Sequence, residues 1–173
     1  MNYYILFRYV LPIILFIILL LIFYYNTMLK KANKVKNAYA SLDVMFKKRN
    51  DLIPNLVNTV KGYAKHEEEC LEKISKIRSS FNKGNTFSLS NEISNTLNDI
   101  FALQESYPNL KANENFLKLQ KALYDVEEHI GAARRTYNAH VTSFNNFVSV
   151  FPNLLFAKLF GFKKYSLFSL TDN

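Results

Sequence analysis

Apolar and polar positions follow three rhythms along the chain. The first has no polar beat at all. From Tyr9 to Tyr25, seventeen consecutive residues carry neither a charge nor a small polar side chain, and thirteen of them are Leu, Ile, Phe or Val. At a rise of ~1.5 Å per residue a helix crosses roughly 25 Å over this run, and about 35 Å with residues 3–8 included. Each such aliphatic or Phe residue favours insertion by about 0.3–0.6 kcal/mol. Tyr3, Tyr4, Tyr9, Tyr24 and Tyr25 bracket the run as an aromatic belt does, and Arg8 lies close enough to its edge to snorkel. A cleaved signal peptide needs small residues after its apolar core, whereas Tyr24-Tyr25-Asn26-Thr27-Met28 follows here. The pattern predicts an uncleaved transmembrane anchor over residues 1–25.

The second rhythm steps by four and three. From Met28 it passes through Ala32, Val35, Tyr39, Leu42, Phe46, Arg49, Ile53, Leu56, Val60, Tyr63, Glu67, Cys70, Ile74, Ile77 and Phe81. Fourteen of these sixteen positions are apolar or aromatic, which no strand or loop would sustain. Pro54 lacks the N–H for one helical bond, so we expect two coaxial helices or one kinked helix, with Asp51 capping the second part. A later stripe of the same kind runs Phe116, Leu119, Leu123, Val126, Ile130, Ala133, Tyr137, His140, Phe144, Phe147 and Phe151, and Pro152 ends it. A shorter one, Ile93, Leu97, Ile100, Gln104 and Tyr107, lies between them, with Ser90 as its expected N-cap and Pro108 as its stop. Residues 82–88 and 107–113 are the expected connections.

No such helix can bury its stripe alone. The short connections favour antiparallel self-packing over an intermolecular coiled coil, although a homo-oligomer would use the same stripes. The expected architecture is all-α. An anchor spans 1–25, a bundle of three to four helices spans 26–153, and an apolar, basic tail spans 154–173. That tail either docks on the bundle or touches the membrane surface.

Composition narrows this picture. A single cysteine, Cys70, excludes a disulfide framework, and four glycines and four prolines are too few for the turns of a β-sandwich. The net charge is +8, and its placement matters more than its size. Residues 26–65 hold nine Lys or Arg against Asp43 and Asp51, whereas residues 66–173 hold twelve of each sign. The excess therefore sits beside the anchor, where Lys30, Lys31, Lys34 and Lys36 suit anionic headgroups at about 1 kcal/mol each. No nucleic-acid recognition motif accompanies the charge, so the bilayer and membrane-associated proteins are the expected partners. The same lysines, set against Arg8 and the terminal amine, predict a cytoplasmic bundle and an external N-terminus by the positive-inside rule.

Candidate chemistry is sparse. His66, His129 and His140 have Tyr63, Val126 and Tyr137 three positions earlier, so the Glu-x-x-His pairs of di-metal bundles are missing. His66 and Cys70 share a helix face at a spacing that could donate two metal ligands, but we expect an exposed histidine beside a small apolar core thiol. Glu67-Glu68-Glu69 and Glu127-Glu128 read as solvated faces, and no Gly-rich phosphate loop or nucleophile elbow is present. We therefore expect neither catalytic residue, cofactor nor metal. Arg49 and Glu67 are the anomalies, since a lone charge in an apolar stripe is costly to bury. We expect the stripe to open to solvent at their levels. Otherwise each meets a partner on another helix, as a register-setting pair or the floor of a binding groove. Arg49, Asp51, Asn55 and Glu67 are thus the candidate polar positions for structure or interaction.

Several blocks resemble the LemA family in the same order: Val35-Lys-Asn-Ala-Tyr-Ala-Ser-Leu-Asp-Val44, Phe46-Lys-Lys-Arg-Asn-Asp-Leu-Ile-Pro-Asn-Leu-Val57 and Val60-Lys-Gly-Tyr-Ala-Lys-His-Glu67. Tyr107-Pro-Asn-Leu-Lys-Ala-Asn-Glu-Asn-Phe116, Ala132-Ala-Arg-Arg-Thr-Tyr-Asn138 and Phe151-Pro152 with Leu159-Phe-Gly-Phe162 continue the likeness. The resemblance implies a bacterial membrane protein with one N-terminal span and a helical-bundle domain. It also implies partners among membrane metalloproteases or other envelope proteins. It assigns no catalytic residue.

Overall fold

A computed structural model describes residues 4, 6–63, 72 and 90–168. His66, Glu67, Cys70, the later positions of the first stripe and the 82–88 connection lie outside the described residues. Among the described residues, a π-helical turn, Leu6–Val10, leads into α1 (Leu11–Tyr63), followed by α2 (Ser90–Leu103), α3 (Pro108–Lys111), α4 (Glu114–Ser149) and α5 (Asn153–Phe160). No strand occurs among the described residues.

The 53-residue α1 carries the apolar window and then, without a break, the buried stripe. Of the two forms expected at Pro54, the break into two helices is absent and one helix continues through it. Pro54 is exposed while Ile53 and Leu56 are fully buried, so apolar packing on either side carries the helix past the missing N–H. Asp51 consequently stands exposed in mid-helix and caps nothing. Asn113 does cap α4, its Oδ1 accepting from the Phe116 N–H at 2.9 Å.

The chain divides into two compact units, and both long helices contribute to each. One unit comprises Met1–Ala40 and Arg135–Phe168; the other comprises Ser41–Arg134 with residues 169–173. In the first unit Lys31 lies against Ser143 and Tyr39 against Tyr137, so α1 and α4 run antiparallel. Met28, Ala32, Val35 and Ala38 of α1 and Tyr137, Val141, Phe144 and Val148 of α4 are among its buried residues.

Beyond α5 the chain turns at Gly161, whose φ of 73° is left-handed. Phe162 N–H bonds Ala157 O at 2.9 Å and Gly161 N–H bonds Lys158 O at 3.3 Å, a Schellman ending that needs glycine at this position. Residues 162–168 then run extended along α4 and are held by amide side chains. Asn145 accepts from Tyr165 N–H at 3.0 Å and donates to Tyr165 O at 2.8 Å. Asn138 does the same for Phe168, at 2.8 and 3.0 Å. Seven helical residues rise about 10.5 Å and three extended ones about 10 Å, so the two asparagines meet the tail in register. Tyr137 Oη donates to Ser166 O at 2.9 Å between them. Of the two arrangements open to the tail, this segment is docked on the bundle.

The second unit has a three-helix core. Ile53, Leu56 and Val60 of α1 meet Ile93, Leu97, Ile100 and Phe101 of α2 and Phe116 and Leu123 of α4, with Leu110 of α3 as a plug. Each of these buried side chains is worth about 1.5–3 kcal/mol relative to exposure. Phe101 meets Phe116 edge-on at 6.4 Å and Tyr124 at 5.0 Å.

The 3.5-residue stripes are followed only approximately. A straight helix drifts about 20° per heptad from that period, so a long stripe must supercoil or slip by one residue. Here it slips. Ala38 is buried and Tyr39 is half exposed, while on α4 Val141 and Val148 replace His140 and Phe147 as the buried positions. Phe151 is 76% exposed. On α4 the buried face advances by four residues twice in succession, from Val126 through Ile130 to the half-buried Arg134.

Candidate functional site: a buried polar cluster

The expectation that the stripe opens to solvent at Arg49 is overturned. Arg49 is 0% exposed. Its stripe position on α1 aims it between α2 and α4, where short polar side chains leave room for a guanidinium. Its Nη1 donates to Glu127 Oε1 at 3.0 Å, and Ser94 Oγ and Ser90 O stand at 3.3 Å from the same nitrogen. Two hydrogens face three acceptors there, and the carboxylate is both the nearest and the only charged one. Nη2 donates to Ser90 Oγ at 3.2 Å. The Phe46 ring lies 5.2 Å from the guanidinium carbon, within cation–π range.

Two hydroxyls and a second arginine complete the cluster. Ser94 Oγ lies 2.7 Å from Glu127 Oε2 and 2.9 Å from Ser90 O, and its single proton favours the shorter bond to the carboxylate. Arg134 donates from Nη2 to Ser90 Oγ and from Nη1 to Asn91 Oδ1, the latter at 3.2 Å. Ser90, expected as a cap, is thus the first residue of α2, and its hydroxyl receives two guanidiniums.

Two positive groups and one negative group leave the cluster at a net +1. Burial pushes the Arg49 guanidinium below its ordinary value, opposed by the charge and hydrogen bond of Glu127. Arg134 is lowered first by burial and then by the like charge of Arg49, again opposed by Glu127. Glu127 is therefore the counter-charge on which both arginines depend.

These bonds tie α1 to α2 and α4 in a single register. Sliding α1 by one residue would move Arg49 by 1.5 Å along the axis and about 100° around it, away from every acceptor. Such a buried ionic group contributes directionality that an apolar core lacks.

The other candidate positions are scattered. Asp51 and Asn55 are exposed, and Asn55 lines an open groove of about 420 Å³ with Asn58, Thr59, Asn115, Lys118 and Leu119. Of the basic collar, Lys30, Lys34 and Lys36 are exposed. Lys31 instead donates to Ser143 Oγ at 3.1 Å and lies over the Phe147 ring. Among the described residues no group of three His, Cys, Asp or Glu side chains is gathered. Sequence reasoning missed Ser94, Asn91 and Arg134, and it read Glu127 as part of a solvated face. The one available signal was Arg49 itself, since a charge inside an apolar stripe calls for partners on facing helices.

A family model described as the LemA family matches residues 38–173, which takes in the later part of α1, all of α4 and the tail. The chain belongs to the LemA family. One relative is Protein LemA of Metamycoplasma hominis, 28% identical over 131 residues, or 73% of this chain and 60% of the relative. Another is Magnetosome protein MamQ of Magnetospirillum gryphiswaldense, 27% identical over 74 residues, or 43% of this chain and 27% of the relative. This LemA-family chain thus spans less than two thirds of either relative's length. Arg49, Ser90, Glu127 and Arg134 all fall inside the matched residues.

Proposed function

We propose that this LemA-family chain is a membrane-anchored, non-enzymatic helical scaffold that binds protein partners beside the bilayer. The observation that carries this reading is α1 itself. One uninterrupted helix supplies an apolar window long enough to cross a membrane, exposed throughout residues 11–19, and then the buried stripe of the bundle. The buried polar groups support it as well. Arg49, Ser90, Ser94, Glu127 and Arg134 are engaged with one another, an arrangement suited to holding helices together and not to receiving a substrate. On this reading the N-terminus is external, the bundle is cytoplasmic, and partners are membrane or membrane-associated proteins or a second copy.

Two experiments test the reading. In a Cys70→Ala background, Asn98→Cys supplies one thiol on an exposed position of α2. In intact cells it should resist a membrane-impermeant maleimide and react after lysis; labelling of intact cells overturns the cytoplasmic placement. A photo-crosslinking residue at Asn58, in the open groove, should give discrete protein adducts in growing cells. A folded chain that yields no adduct there or at exposed Tyr124 overturns the scaffold.

A further inference from the structure

We propose that α5 is an interfacial membrane helix, a second contact between this chain and the bilayer beside its membrane-crossing segment. A surface helix in water is polar on its outer face. The outward residues of α5 are Leu154, Leu155, Lys158 and Leu159, and Leu155 and Leu159 are 58% and 68% exposed. Phe151, just before the helix, is barer still. Three large apolar side chains in so short a stretch are a poor surface for water and a good one for acyl chains.

The occupant follows from where α5 is attached. Phe156 stacks on Tyr24 with ring centroids 4.4 Å apart and an interplanar angle of 16°, and Phe160 meets Tyr25 edge-on at 5.2 Å. Tyr24 and Tyr25 are the last residues of the apolar window. Along α1, residues 11–19 are all exposed, and partial burial begins at Leu20 and Leu21. If the window fills a hydrocarbon core of about 30 Å, those tyrosines stand at its edge, where such rings belong. A helix stacked on them lies at headgroup depth, whichever way the chain is oriented.

Charge agrees. Residues 129–171 contain no acidic side chain, and Lys158, Lys163 and Lys164 are exposed in and just after the helix. Leu155 and Leu159 would enter the boundary between headgroups and acyl chains, about 5–10 Å deep, while the lysines meet anionic headgroups.

The test uses the full chain with Cys70→Ala, in nanodiscs of phosphatidylcholine with phosphatidylglycerol. A polarity-sensitive fluorophore is attached singly through Leu159→Cys, through Ile17→Cys within the window, or through Asn33→Cys on the exposed side of α1. At Leu159 we expect stronger quenching by shallow than by deep spin-labelled lipid, and at Ile17, mid-way along the window, the reverse. Iodide quenching at Leu159 should be at least about five-fold weaker than at Asn33, as for an interfacial position. Iodide access at Leu159 equal to that at Asn33 overturns the proposal. So does protection from both quenchers, which would mean that a second copy covers α5. Lipid quenching at Ile17 without quenching at Leu159 removes only this inference, whereas its absence at both removes the anchor as well.

Discussion

The two units solve the same problem by different means. Each must hold helices in one register while satisfying polar groups that come with the fold. The unit of Met1–Ala40 and Arg135–Phe168 does so with neutral amides, since half-buried Asn138 and Asn145 complete the hydrogen bonding of an extended tail. The unit of Ser41–Arg134 buries a full charge and surrounds it with a carboxylate and two hydroxyls. Neutral hydrogen bonds contribute about 1 kcal/mol each and can be lost singly. A buried charge contributes little net stability when satisfied but is strongly destabilising once its partner is gone. The first arrangement should therefore fail gradually and the second abruptly.

That contrast can be broken most directly at Glu127. Glu127→Leu leaves Arg49 buried without a counter-charge and should cost about 3–5 kcal/mol, read as a marked fall in the thermal unfolding midpoint of the full chain in detergent. Adding Arg49→Met should restore a large part of the loss, because the uncompensated charge is then gone. A Glu127→Leu chain that melts with the parent would show that the cluster is solvated and not a lock.

Asn145→Ala should be milder, about 2 kcal/mol for two neutral bonds. Hydrogen exchange at the Tyr165 amide should accelerate, and the Phe168 amide, held separately by Asn138, should respond less. Equal loss at both sites would mean that the tail detaches as one piece.

Tyr137→Phe removes one bond to Ser166 O and should cost about 0.5–1.5 kcal/mol near neutral pH. Its pH dependence sharpens the comparison. Burial, helped by Tyr39 and Tyr165, raises the Tyr137 phenol above its ordinary value. The folded state therefore holds this proton more tightly than the unfolded chain does. The associated stability is complete below the usual tyrosine range near ~10 and declines as pH rises through the folded value. In Tyr137→Phe that part of the alkaline decline should disappear, as measured by denaturant unfolding across pH 8–11.

The smallest effect belongs to exposed ion pairs. Lys47→Ala, which breaks a 3.0 Å bond to Asp43, and Lys118→Ala, which breaks a 3.6 Å contact with Glu114, should each change stability by less than about 0.5 kcal/mol. A larger change at either would give surface charge a part in the fold that neither unit assigns to it.

Much of the fold was legible because helix period and membrane length are local properties. The apolar window, the two long stripes and the stop at Pro152 needed only spacing along the chain. Pro54 left two forms open because its cost is local, whereas the burial of Ile53 and Leu56 that keeps the helix in one piece is not. The site was legible at one residue only. Arg49 announced itself by breaking an apolar stripe, but its partners are two ordinary serines and a glutamate that looked like part of a solvated face.

The sequence by itself determined that this chain is helical, that one stretch is apolar enough to cross a membrane, and that Arg49 is a charge set in an apolar stripe, either solvated or partnered. Those follow from periodicity and from the cost of removing charge from water, which act residue by residue. Tertiary structure alone decided which neighbours satisfy that charge and where the stripes slip by one residue. It also decided that two asparagines one heptad apart would hold an extended tail, and that a leucine-rich helix would rest on the tyrosines closing the apolar window. Each of these depends on distances between segments remote in sequence, which are set only when the helices pack.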